Sequence, residues 1–274
     1  MFLLTYFGNT LSKYPIFDDV QPVCYNLRHT KITTKGGIEM ILLTGGHGLL
    51  GNELRRLRDY FAPNSQEMDI TDKTRVFDVV KNTKPNFVLH CAAYTDVAQA
   101  ETDWQRCYKV NAFGTRNVAE AAKSIGATLI YMSTDYVFDG EQSQTSPGYK
   151  PDDIPHPINW YATTKLIGEI YTQLCPDYYI IRTSFKRSPW KHPKAVIDMW
   201  TSGDYVDIIA PLIDKAIGKI VDGEIMPCRI LHIGTGRKTL FELAQRRTPN
   251  VEAVTRAEIG VRLPKDTTLA CSDL

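Results

Sequence analysis

Residues 41–51 read I-L-L-T-G-G-H-G-L-L-G, and their order decides the fold. An apolar run, Met40 to Leu43, is followed at once by Gly45, Gly48 and Gly51, and then by an amphipathic stretch from Leu49 to Leu57. That order is strand, tight turn, helix. Residues without a Cβ let backbone N–H groups approach a phosphate at the positive end of the new helix. An acidic residue, Asp69, lies about twenty positions on, as a dinucleotide-binding turn requires.

The chain beyond this unit repeats the alternation. Residues 86–90 (N-F-V-L-H), 127–132 (A-T-L-I-Y-M) and 178–183 (Y-Y-I-I-R-T) are apolar runs short enough to be buried strands. Residues 59–62 make a brief strand stopped by Pro63, with the uncharged Asn64 and Ser65 at its end. A carboxylate there would grip a ribose hydroxyl, and its absence leaves room for a 2′-phosphate. NADP and NAD therefore both remain open. Helical patterning is expected over 104–123, with Val110, Phe113, Asn117, Val118 and Ala121 on one face, and over 161–174, 204–220 on the rim, and 239–246. Strands alternating with helices predict an α/β fold: a doubly wound, Rossmann-like parallel sheet over 40–183, and a small substrate lobe over 184–274 with segments returning to the core.

Three strand ends carry chemistry. Cys91-Ala92-Ala93-Tyr94 is small enough for a flat ligand to lie on the backbone, and Asn111 in the next helix is placed to bridge to it. Ser133-Thr134-Asp135 sets hydroxyls at the end of the 127–132 strand. Tyr161-Ala162-Thr163-Thr164-Lys165 opens a helix with a phenol and an ammonium four apart, on one face. An ammonium beside a phenol lowers the phenol's pKa and suits it to proton transfer in carbonyl reduction. The basic run Arg187 to Lys194, which includes Trp190, could meet a nucleotide.

With a net charge of +1 and 23% charged residues, nothing argues for nucleic acid or a membrane surface as partner. The six cysteines are scattered without a C-x-x-C pair, which gives no metal motif and suits a reducing cytoplasm. The first 39 residues lack a sustained period. Two readings stand open for them: a translated leader ahead of a start at Met40, or a loosely packed arm. Sequencing the native N-terminus separates the two.

From Met40 onward the chain resembles the extended short-chain dehydrogenase/reductase superfamily and, within it, the dTDP-4-dehydrorhamnose reductase family. The matching pieces are T-G-G-H-G-L-L-G at 44–51, M-D-I-T-D at 68–72, H-C-A-A-Y-T-D-V at 90–97, V-N-A-F-G-T at 110–115, S-T-D-Y-V-F-D-G at 133–140, Y-A-T-T-K at 161–165, R-T-S at 182–184 and L-P-K-D-T-T-L-A-C-S-D-L at 263–274. The resemblance implies that Gly45, Gly48, Leu49, Leu50 and Gly51 hold a pyrophosphate, that Asp69 and Ile70 face adenine, and that Ala92, Ala93 and Tyr94 line a nicotinamide. It implies a catalytic trio of Thr134, Tyr161 and Lys165, the last two also touching the cofactor. It implies substrate contacts from Thr134, Asp135 and Arg182. The expected reaction is NAD(P)H-dependent reduction at C4 of a 4-keto-6-deoxysugar nucleotide by a cytoplasmic enzyme, and a homodimer is admitted. Rival readings are another sugar-nucleotide reductase or epimerase, and a non-catalytic dinucleotide-binding subunit like the one that partners methionine adenosyltransferase. Phe185 stands where the family usually has tryptophan, the 182–207 span is short, and a last helix is expected beyond Leu274. All three differences fall in the substrate half.

Overall fold

The computed structural model describes residues 39–142, 146–224, 226 and 228–272. The stretch read as leader or arm lies, but for Glu39, outside them. Strand β1 is Ile41–Thr44, followed by α1, Leu49–Leu57. Phe61 makes a single parallel bridge to Leu42, which is all that forms of the expected 59–62 strand. Helix α2, Lys73–Thr83, starts on the Asp72 carboxylate, which accepts from Arg75 N. Strand β2 is Phe87–His90.

Two short helices follow, α3 at Val97–Ala100 and α4 at Trp104–Tyr108. A π-helical turn at Lys109–Gly114 joins α4 to α5, Thr115–Ile125. The sequence predicts one continuous helix here, and the π turn breaks its phase. Phe113, expected on the buried face, is 41% exposed, while Val118 and Ala121 are buried. A wider turn rotates the residues around it relative to a 3.6 period.

Strand β3, Thr128–Met132, and helix α6, Trp160–Thr172, carry the next pieces. Strand β4 is Tyr178–Arg182, and the short β5 is Phe185–Lys186. Then come β6 at Lys194–Val196, β7 at Trp200–Thr201 and β8 at Asp204–Tyr205. Helix α7 is Val206–Val221 and β9 is Ile230–His232. Strand β10 at Lys238–Thr239, helix α8 at Leu240–Gln245 and β11 at Glu252–Val254 complete the order.

The main sheet runs β1-β2-β3-β4-β9, all parallel. Alternation along each strand sends Leu43, Leu89 and Ile130 to one core and Leu42, Val88 and Leu129 to the other. Both faces are covered, which is why the strands read as unbroken apolar runs. Helix α7 is not on the rim, as its sequence suggested. Ile209, Ile213, Ile217 and Ile220 are fully buried in the first core with Leu54 of α1. A lobe built from the pairs β5–β8, β6–β11 and β7–β10 packs Val196, Met199, Leu240 and Val254 against Tyr136 and Ala162. That contact sets the lobe over the start of α6.

Candidate active site

The glycine turn has the cramped geometry its spacing predicts. Gly45 sits at φ +69°, and a Cβ there would come within 2.6 Å of Ala92 N. A Cβ at Gly51 would lie 2.3 Å from the Gly45 carbonyl. Helix and strand can approach this closely only without side chains. Gly48 N donates to Gly45 O at 2.9 Å and closes the turn. No side chain caps α1 and no acid lies in its first turn, although α2, α3, α6 and α8 are each capped by a side chain. The start of α1 is thus left positive and open, beside the exposed Gly48. His47, Gly48, Leu49, Asn52, Glu53, Arg56 and Arg187 line a cavity there. The sheet order reverses at the same place, since β1 is flanked by the Phe61 bridge on one side and by β2 on the other. Ligands bind outside the carboxyl ends of parallel strands at such a point.

One hydrogen-bonded chain ties this turn to the end of β2. Ala92 N donates to Thr44 Oγ1 at 3.2 Å, and Thr44 Oγ1 lies 2.6 Å from His90 Nδ1. His90 Nε2 lies 3.0 Å from Thr115 Oγ1, whose own proton goes to the Asn111 carbonyl at 2.7 Å. Thr115 therefore accepts from His90, the proton sits on Nε2, and Nδ1 accepts from Thr44. Burial pushes the His90 pKa down to about 3, which keeps the ring neutral. Sequence reading gave His90 no role, because a histidine inside an apolar run shows no ligand pattern.

Asn111 makes the bridge expected of it. Its Oδ1 accepts from Tyr94 N at 2.8 Å, and its Nδ2 donates to Tyr94 O at 3.0 Å and to Thr164 Oγ1 at 3.0 Å. The buried amide in the π turn thus fixes the Ala92-Ala93-Tyr94 loop to helix α6. Irregular helical turns of this kind concentrate at functional sites. Ala92 and Ala93 are half-exposed, and the Tyr94 hydroxyl is buried without a partner among the described residues.

Thr134 follows β3, and Tyr161 and Lys165 lie on the first turns of α6, which is capped by Asn159 accepting from Ala162 N. Thr134 and Lys165 are buried and Tyr161 is half-buried. The structure corrects the expected electrostatics. Burial pushes the Tyr161 phenol well above its ordinary value, and a hydrogen bond with Thr134 pulls it partly back. Lys165 is not among the groups that shift it. The ammonium reaches past the phenol, donates to the Met132 carbonyl at 2.6 Å and lies 4.1 Å from the Tyr131 ring centroid. Burial lowers its pKa to about 7, with Cys91, Glu169 and Cys107 pulling the other way. Tyr161 is thus an undissociated acid, and Lys165 is a cation easily neutralised.

Two residues expected at the substrate have partners inside the protein. Arg182 is only 2% exposed and pairs with Glu169, Nε to Oε1 at 3.0 Å and Nη2 to Oε2 at 2.8 Å. Its Nη1 donates to Pro151 O at 3.2 Å, so the guanidinium is used up inside the protein. Asp135 is fully buried. Its Oδ2 accepts from Thr201 at 3.0 Å and Thr267 at 2.8 Å, and its Oδ1 from Thr134 at 3.2 Å. It ties Thr134 to the lobe. Asp69 keeps an exposed carboxylate, but its Oδ1 is taken by Thr71 N and Oγ1, each at 2.9 Å. Ile70 packs under Gly114, and Asn117 Nδ2 holds its carbonyl at 2.9 Å.

A parallel sheet with a glycine-rich first turn, and a threonine, tyrosine and lysine gathered past β3, define a dinucleotide-binding protein of the short-chain dehydrogenase/reductase class. The comparisons narrow the class. A family model describing the RmlD substrate binding domain matches residues 39–210, and the chain belongs to this family. It is 35% identical to dTDP-4-dehydrorhamnose reductase from Aggregatibacter actinomycetemcomitans over 68% of its own length and 64% of the relative's. It is 36% identical to methionine adenosyltransferase 2 subunit beta from Xenopus laevis, over 47% of this chain and 41% of that one. These matches span less than two thirds of those relatives. Among solved structures, dTDP-4-dehydrorhamnose reductase from Bacillus anthracis in complex with NADP superposes with a TM-score of 0.75 at 31% identity, covering 85% of this chain and 91% of that one.

Proposed function

We propose that the chain reduces the C4 ketone of a 4-keto-6-deoxysugar nucleotide, with dTDP-4-dehydro-L-rhamnose as substrate and dTDP-L-rhamnose as product. The reductant is NADPH, by likeness to the Bacillus anthracis relative solved in complex with NADP. The observation that carries this reading is the placement of Thr134 just past β3 and of the buried Lys165 one turn along α6 from Tyr161, in a fold whose glycine turn lies at the switch point of the same sheet.

The residues present fit a dinucleotide. Gly48 opens onto the cavity, and the start of α1 carries neither cap nor acid. Gly45, Gly48, Leu49, Leu50 and Gly51 hold the pyrophosphate, Asp69 and Ile70 border the adenine, and Ala92, Ala93 and Tyr94 line the nicotinamide. When bound, the reduced nicotinamide supplies the hydride. Everything else falls to the chain. Thr134 orients the ketone oxygen by its hydroxyl. Tyr161, protonated at neutral pH because burial raises its pKa, gives its proton to the oxygen as negative charge develops there. Lys165, buried on the same helical face, would hold the nicotinamide ribose.

Cofactor oxidation with a panel of 4-keto nucleotide sugars tests the proposal. Turnover with dTDP-4-dehydro-L-rhamnose supports it, and turnover with another sugar alone moves the substrate. The similarity to methionine adenosyltransferase 2 subunit beta favours a second reading, a dinucleotide-binding subunit without turnover. Tight NADPH binding with no turnover on any sugar selects that one.

A further inference from the structure

Strand β5 follows directly on β4 and ends in two cations, Lys186 and Arg187. Side chains alternate along an extended strand, and these two go to different places. Arg187 lines the cavity at the glycine turn. Lys186 goes to the catalytic residues. Its Nζ lies 5.9 Å from the Tyr136 ring centroid, and Tyr136 packs edge-on to Tyr161 with centroids 6.3 Å apart. The Asp135 carboxylate feels its charge but is already occupied by Thr134, Thr201 and Thr267. Neither that carboxylate nor any other group among the described residues forms an ion pair or hydrogen bond with the Lys186 side chain. The pairing of β5 with β8 fixes the backbone that presents it.

A half-buried ammonium has three donors, and leaving them without acceptors is costly. Such a group is kept where an anion comes to it. In a nucleotide sugar the diphosphate leaves from C1, across the pyranose ring from C4. With C4 at the phenol, a diphosphate on C1 lies one pyranose ring away, and Lys186 stands one aromatic ring from Tyr161, across Tyr136. Resting on the nucleotide-sugar reading above, we infer that Lys186 is a substrate-binding residue that holds the diphosphate of the sugar nucleotide.

The test titrates thymidine diphosphate and thymidine into the NADPH-loaded protein by calorimetry, for wild type, K186M and K186R. Loss of a charge-assisted contact should weaken thymidine diphosphate at least about tenfold in K186M. Thymidine and NADPH affinities should stay as in wild type, and K186R should recover most of the loss. The unfolding midpoint of K186M should not fall, since the ammonium makes no internal pair. Should K186M fail to fold, K186Q carries the same expected loss. Equal thymidine diphosphate affinity in wild type and K186M overturns the inference while leaving the reductase reading standing. A large drop in midpoint with unchanged affinity assigns Lys186 to balancing Asp135 and also overturns it. A wild type that binds neither thymidine nor its diphosphate overturns the reading itself.

Discussion

Replacing Arg182 by methionine separates a structural role from a substrate role. Arg182 and Glu169 have side chains 2% and 3% exposed, joined by hydrogen bonds of 3.0 and 2.8 Å. The change keeps most of the side-chain bulk but leaves the Glu169 carboxylate with only Ser133, 2.5 Å away. It also removes the bond to Pro151 O and the cation 5.1 Å from the Phe138 ring centroid. Breaking one side of a buried pair costs about 3–5 kcal/mol, because the other charge stays behind in low dielectric. In a protein of this size about 1 kcal/mol moves the melting temperature by about 2–4 °C, so R182M should melt at least about 6 °C lower. The double variant E169L/R182M should recover part of the loss, since no unpaired charge remains. Urea and thermal unfolding of wild type, R182M, E169L and E169L/R182M measure this. Wild-type stability in R182M, together with a raised KM for the sugar nucleotide, would refute the assignment and return Arg182 to the substrate.

Further outcomes follow from the same geometry. Tyr161→Phe should lower turnover by about 10²–10⁴-fold and leave the NADPH dissociation constant unchanged; activity within tenfold of wild type would show that another group gives the proton. Gly51→Ala should abolish NADPH binding or folding, because its Cβ would lie 2.3 Å from Gly45 O, and a variant that binds normally in a fluorescence titration would contradict the crowding. Asn111→Ala should weaken NADPH binding by freeing the Tyr94 loop, with about 1–3 kcal/mol of stability lost from the unpaired groups; unaltered binding would break the proposed link. Acid should destabilise the fold through His90 and His232, whose pKa values burial holds near about 3 and about 4. Below the unfolded value of about 6.5 the unfolded chain takes up more protons, so their contribution is fully present above that pH and is lost as pH falls toward the folded values, by about 1.4 kcal/mol per unit for each ring. Urea midpoints at pH 7 and 5 should fall less in His232→Asn than in wild type, and equal falls would count against it.

Local spacing carries some features of this protein and not others. The glycine turn was legible because a backbone constraint acts on neighbours in sequence: three residues without Cβ, between an apolar run and an amphipathic one, leave few conformations. The Tyr161–Lys165 spacing gave the common helical face for the same reason. The Arg182–Glu169 pair was not legible, because a basic residue at a strand end looks alike whether a ligand or a carboxylate of the same chain receives it. The helix over 104–123 was drawn through its break, since a π turn leaves the composition of a helix intact. Helix α7 was placed on the rim because a sequence does not say how many sides of a helix are covered.

By itself the sequence determined the alternation of strands and helices, the parallel sheet, the glycine-rich first turn and the common helical face of Tyr161 and Lys165. Those depend on periodicity and on contacts within a few residues. Only the tertiary structure decided where Lys165 spends its charge, that Asp135 and Arg182 pair with the protein's own groups, and that His90 and Asn111 tie the end of β2 and the Tyr94 loop to the glycine turn and to α6. These are pairings between residues up to 132 positions apart, as from Asp135 to Thr267. Burial then sets each proton affinity by removing water and leaving only the partners that the fold has brought near.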